Sequence, residues 1–129
     1  MSWPPASTVW FRRRVIPRVH AVRLGDLDEG TSAHVWTIGH RMGRALRRSG
    51  LRCEGVNVFL ADGKAAFRTV FHFHLHVLPR FEGDGFRIAA DQDTRPRSLL
   101  DQESKAVQSG LAALGLPTAD MSTERDVTA

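Results

Sequence analysis

The chain has 129 residues, 42% of them hydrophobic and 25% charged, which is the size and composition of one globular domain. No apolar run approaches the ~18 residues that a membrane-spanning helix needs, so such a helix is excluded. Eighteen Lys+Arg against fourteen Asp+Glu leave a net charge of +4 with histidines neutral. That balance attracts anions such as nucleic acid, nucleotides or other phosphate esters without choosing among them, and a solvated arginine surface explains it as well.

Residues 1–13 hold Pro4, Pro5, Ser7 and Thr8 with no apolar period and no signal-peptide core, so the reading is an irregular segment and no secretion. Arg14 to His20 reads as a short β-branched strand that Pro17 confines to an edge or an end. Asp28 to Arg48 carries the clearest helical period. Val35, Ile38, Met42 and Ala45 recur at three and four residues with Leu46 beside them, while His34, Arg41, Arg44 and Arg48 face away. Asp28 suits the cap at its start, and Gly50 its left-handed close. Cys53, the only cysteine, allows neither an intramolecular disulfide nor a thiolate cage; a reducing, cytoplasmic setting is the default.

Gly55 to Leu60 reads as a strand and Ala61 to Lys64 as an Asp-Gly turn. Thr69 to Leu78 then alternates with period two. Val70, His72, His74 and His76 fall on one face, Phe71, Phe73, Leu75 and Val77 on the other, and Pro79 ends the run. Residues 89–115 form a polar linker and a last helix, with Ser98 and Asp101 spaced as a capping box and Leu99, Leu100, Val107, Leu111 and Leu114 as its packing face. Residues 116–129 have no apolar period and are expected to be a disordered tail.

Alternate strand side chains lie about 6.6 Å apart on one face, so His72, His74 and His76 form a row. A metal site needs imidazoles converging on one ion, usually with a carboxylate from elsewhere, whereas three in a row diverge along the strand. A phosphate site uses them differently. Near neutral pH an imidazole is a competent nucleophile, and a protonated neighbour stabilises phosphoryl oxygens. His20 and His34 read as structural or surface residues.

His72-Phe73-His74-Leu75-His76-Val77-Leu78 resembles the His-φ-His-φ-His-φ-φ signature of the histidine triad (HIT) nucleotide hydrolases and transferases. Val15-Ile16-Pro17-Arg18-Val19-His20, Gly55-Val56-Asn57-Val58, Asp62-Gly63-x-Ala65-Ala66 and Pro79-Arg80-Phe81-x-Gly83-Asp84-Gly85-Phe86 extend the resemblance over roughly residues 14–88. It implies an α+β fold: a HIT-like antiparallel β-sheet with one long helix and a C-terminal helix, usually in a homodimer. Mapped residue by residue, it implies that His74 is the nucleophile that forms a nucleotidyl-histidine on an α-phosphate. His76 would bind phosphate oxygens and the leaving group, and His72 would orient His74. Thr69, Arg68 and Phe67 would line the substrate, a purine nucleotide or related phosphate compound.

Arg68 stands where the family usually has Gln, Phe67 where it often has Gly, and Ala61 where it often has Asn. Family members also carry several dozen residues before the Ile-Pro strand, walling the nucleoside pocket, so the domain is expected to be N-terminally shortened. The implied reaction is cleavage of a nucleoside phosphoramidate or dinucleoside polyphosphate, with no metal and no cofactor. The alternative is a nucleotide-binding module with little or no catalysis because that wall is missing; a metal-dependent enzyme is the third reading. Membrane and nucleic-acid partners are not expected, the latter because no basic-aromatic array is present.

Overall fold

The computed structural model describes residues 13–68 and 71–117. Among these, three antiparallel strands and two helices make an α+β arrangement: β1 (Arg13–Val15), α1 (Glu29–Arg47), β2 (Gly55–Leu60), β3 (Leu75–Arg80) and α2 (Arg97–Ala113). The sheet runs β1-β3-β2, so the strand that continues the histidine run lies in the middle. Two compact units separate, one ending at Phe86 and one beginning at Arg87.

Helix α1 forms as its period predicts. Asp28 caps it by accepting from the Thr31 amide at 3.0 Å, and from the Thr31 hydroxyl at 2.5 Å. These bonds hold the Asp28 carboxyl below its ordinary range, with the Thr31 hydroxyl the largest cause. The inward stripe is Val35, Ile38, Gly39, Met42, Gly43 and Leu46, while Ala45 is exposed, contrary to expectation. The reason is a close approach of helix to sheet. A Cβ on Gly39 would lie 2.8 Å from Leu75 Cδ2, and one on Gly43 would lie 3.6 Å from Val56 Cγ1. The two glycines, which carry no hydropathy signal, rotate the contact stripe away from Ala45.

The core beneath α1 is Ala21, Val35, Phe73 and Leu75, with Val15, Leu27 and Leu60 packed against it. Burying these apolar groups is the main drive for docking the helix on the sheet.

Three strand expectations change. First, β1 stops at Val15 instead of running to His20; Pro17 is buried, while Ile16 and Val19 are exposed. Second, β3 begins at Leu75, not Thr69. β2 ends at Leu60 and β1 at Val15, both opposite Leu75, so the preceding residues run past both neighbours. The Phe73 amide donates instead to the Ala21 carbonyl at 2.8 Å. Phe71, placed on the core face by alternation, is 65% exposed for the same reason. Third, β3 continues through Pro79 to Arg80. The Arg80 carbonyl accepts from the Glu54 amide on the β2 side at 2.7 Å. Alternation then turns the Pro79 nitrogen toward the β1 side, where pairing among the described residues has stopped at Val77, so its missing N–H breaks no bond of the described ladder.

In the second unit, α2 starts two residues earlier than the Ser98–Asp101 spacing suggests. Pro96 takes the cap position without a side-chain bond, and Asp101 pairs with Arg97 at 3.0 Å. No residue of α2 is buried. Leu99, Leu100, Val107 and Leu114, expected to pack, are exposed, and Leu111 is half-buried.

Candidate active site

The sheet has two unlike faces. Leu75 and Val77 point toward α1, and both are fully buried. His76 points to the other face, where register places Arg14 of β1 on one side of it and Phe59 of β2 on the other. Residues directly opposite across an antiparallel pair share a face, so Arg14, His76 and Phe59 form a row across three strands.

His74 sits just before β3 and is anchored by its neighbours. Phe73 and Leu75, on either side of it, are locked in the core, which leaves the His74 backbone little freedom. The His74 side chain is also buried, at 8% exposure, as is that of His76. Its Nδ1 lies 2.8 Å from the His72 carbonyl oxygen. A carbonyl only accepts, so Nδ1 carries the hydrogen; in the neutral ring Nε2 then holds the lone pair. The His74 and His76 rings meet edge to face, with centroids 4.5 Å apart and planes at 77°.

His72 is half-buried and acts on His74 through its main chain rather than its ring. Its ring lies 6.0 Å from that of His20, whose side chain is exposed. The three histidines therefore lie in one short stretch, but only His76 belongs to the ladder. His74 and His76 are ring neighbours. Among the described residues, no group of three or more His, Cys, Asp or Glu could hold a metal ion.

The sequence-designated substrate residues separate. Arg68 is buried, its guanidinium donating to the Val22 carbonyl and lying 3.5 Å from Asp62. It pins the approach to the histidine run onto the loop before α1. Phe67 is 92% exposed and adopts a left-handed conformation with φ 65°, which explains why glycine suits this position. Thr69 lies outside the described residues, as does Val70. Arg14 and Phe59 carry no motif signal; only strand register brings them beside His76. Arg14 is exposed, and its guanidinium makes no hydrogen bond or ion pair with any described residue.

Beyond β3 the chain is braced by Arg80. Its Nε donates to Asp84 at 2.6 Å, one Nη to Asp84 and the Phe86 carbonyl at 3.1 and 3.0 Å, and the other Nη to Asn57. The amides of Phe81 and Phe86 also donate to the Asp84 carboxylate. Arg80, first, and these amides hold the Asp84 carboxyl far below the usual carboxylate range. Gly83 and Gly85, at φ 75° and 78°, supply the left-handed turns that this closed loop needs.

An antiparallel α+β sheet carrying two adjoining imidazoles, one with an oriented lone pair, defines a class of histidine-based sites suited to phosphoryl chemistry. The HIT domain family model matches residues 6–83, more than half of the chain, and the chain belongs to that family. The match begins before Arg14, where the motifs place the start of the resemblance. An uncharacterized HIT-like protein of Mycobacterium tuberculosis is 36% identical over 104 residues, covering 76% of this chain and 72% of the relative. A zinc-bound histidine triad family protein of Mycobacterium smegmatis superposes with a TM-score of 0.56 at 43% identity, covering 74% of this chain and 72% of that one. A bis(5'-adenosyl)-triphosphatase of Dictyostelium discoideum is 27% identical over 107 residues, covering 79% of this chain and 68% of the relative.

Proposed function

We propose that the protein hydrolyses or transfers nucleotides, cleaving at the α-phosphate of a nucleoside phosphoramidate or dinucleoside polyphosphate, with His74 as nucleophile. The observation that carries this reading is the 2.8 Å contact from His74 Nδ1 to the His72 carbonyl, which leaves Nε2 as the nucleophilic nitrogen. His74 Nε2 attacks the α-phosphorus. The new P–N bond forms as the bond to the leaving amine or phosphate oxygen breaks, and His76 gives a proton to that leaving group. The imidazole of the adduct is cationic, and its Nδ1–H remains bonded to the His72 carbonyl. Water then attacks phosphorus, the His74–P bond breaks with its electrons returning to Nε2, and the water's proton passes to His76.

Positive charge for the phosphoryl oxygens comes from Arg14, exposed and directly opposite His76, rather than from Arg68, which is committed to Val22 and Asp62. The relative named as a bis(5'-adenosyl)-triphosphatase supports the choice of substrate class. The single thiol suits a reducing cytoplasmic setting. A homodimer is part of the proposal, with a dimer mass by light scattering as its check.

The test is hydrolysis of adenosine 5'-phosphoramidate and of a diadenosine polyphosphate by the wild-type chain and by His74→Ala, both shown folded by circular dichroism. Turnover in the first and a loss of at least ~10³-fold in the second is the expected result. AMP binding without turnover in the wild type would make the chain a binding module, and turnover retained by His74→Ala would reject the nucleophile.

A further inference from the structure

His76 is held on its β2 side by an aromatic ring. Phe59 stands directly opposite it across β2 and β3. The two rings are stacked, with centroids 4.8 Å apart and planes 28° from parallel. On its other flank the His76 ring meets that of His74 at 77°. Rotation about the Cβ–Cγ bond of a histidine is soft, with broad minima instead of sharp staggered wells. The backbone of β3 therefore places His76 Cβ but does not choose the plane of its ring. A ring stacked on one face does choose it, because turning the imidazole out of the 28° arrangement loses the overlap with Phe59 and the edge contact with His74 together.

Phe59 is also 36% exposed on an outer strand of the described sheet, a poor use of a large ring if core packing were its only purpose. Leu60, its neighbour, packs on the core; Phe59 packs on a histidine.

We propose that Phe59 is a positioning residue for His76: its ring fixes the imidazole plane in which His76 meets His74 and reaches the departing group. In this proposal Phe59 acts only through His76, the ring on which it stacks. The inference rests on the proposed reaction for its kinetic consequence, but its structural content stands apart from that reaction. Fixing the plane raises the fraction of His76 rings aimed productively in a bound complex. Its loss should lower kcat by about 3- to 10-fold, with KM within about twofold, because in the proposed reaction His76 gives its proton only as the bond to the leaving group breaks.

The test compares the full chain with Phe59→Leu, which removes the ring, and Phe59→Tyr, which keeps it. Phe59→Val, suited to an outer strand, replaces Phe59→Leu should that variant fail to fold. Two readouts are taken: kcat and KM with adenosine 5'-phosphoramidate, and the histidine ring resonances in NMR. In Phe59→Leu, the His76 ring protons should lose the ring-current displacement of a stacked neighbour and broaden, His72 should not move, and kcat should fall. Phe59→Tyr should restore both. His76 resonances that stay in place and sharp in Phe59→Leu would overturn the proposal, as would an unchanged kcat in a working enzyme. A wild type without turnover rejects the proposed reaction alone, because the NMR comparison still decides whether Phe59 holds the ring.

Discussion

Two glycines on one helix should respond oppositely to the same substitution. Gly39 and Gly43 both lie inside α1, so replacing either with alanine gains the helix propensity difference of about 1 kcal/mol. At Gly43 the added methyl would sit 3.6 Å from Val56 Cγ1, an ordinary contact, and the gain is kept. At Gly39 it would sit 2.8 Å from Leu75 Cδ2, about 1 Å inside comfortable carbon–carbon separation. Leu75 is fully buried in the core with Phe73 and Val35, so it has nowhere to swing. Overpacking of this kind costs about 1–3 kcal/mol. Gly43→Ala should therefore be stabilised by about 1 kcal/mol, and Gly39→Ala should range from neutral to about 2 kcal/mol destabilised. The separation between the two variants is then about 1–3 kcal/mol. Urea unfolding followed by far-ultraviolet circular dichroism measures it directly, with m unchanged in both. If Gly39→Ala proved as stabilising as Gly43→Ala, Leu75 would be free to yield, and the close docking of α1 on β3 would be refuted.

Other outcomes follow from the loops. Phe67→Gly should stabilise the fold by about 0.5–1 kcal/mol: a left-handed non-glycine residue costs about 1–2 kcal/mol, glycine gives back part of that through the unfolded chain, and the Phe67 ring buries almost nothing. A loss of stability on thermal melting would show that this ring has a packing partner. Asp84, its folded pKa held far below its unfolded value near 3.9, contributes stability present above about pH 4 and lost as pH falls below it. Asp26 and Asp28 act in the same sense. Asp84→Asn should consequently melt lower than wild type at pH 6, with the two curves converging toward pH 2; parallel curves would mean that the Arg80 brace does not form in solution.

What the sequence could express in hydropathy and in short motifs was legible. The cap at Asp28, the inward side of α1 at Val35 and Leu46, the span of β2 and the histidine run all follow from residue type and spacing. What depended on partners far along the chain was not. Alternation predicts a strand from Thr69, because Phe71 and Phe73 match the period, but a ladder exists only where β1 and β2 run alongside, and both stop opposite Leu75. Pro79 looks like a strand end until the side on which its nitrogen falls is known. Arg68 reads as a substrate-lining residue beside the triad, yet its guanidinium is spent on Val22, which no spacing rule connects to it. Arg14 and Phe59 flank His76 only through cross-strand register, the least readable property of a single sequence. The stripe at Leu99, Leu100 and Val107 shows the converse: helical period reports an amphipathic helix but not what covers it.

In the proposed reaction His74 becomes covalently attached to the nucleotide. Rapid mixing of the protein with adenosine 5'-phosphoramidate, quenched under alkaline denaturing conditions that spare P–N bonds, followed by intact-mass and peptide analysis, tests it directly. The expected result is the mass gain of one adenylyl group, localised to His74 and absent from folded His74→Ala. Turnover without any adduct, or an adduct on another residue, would rule out His74 as the nucleophile.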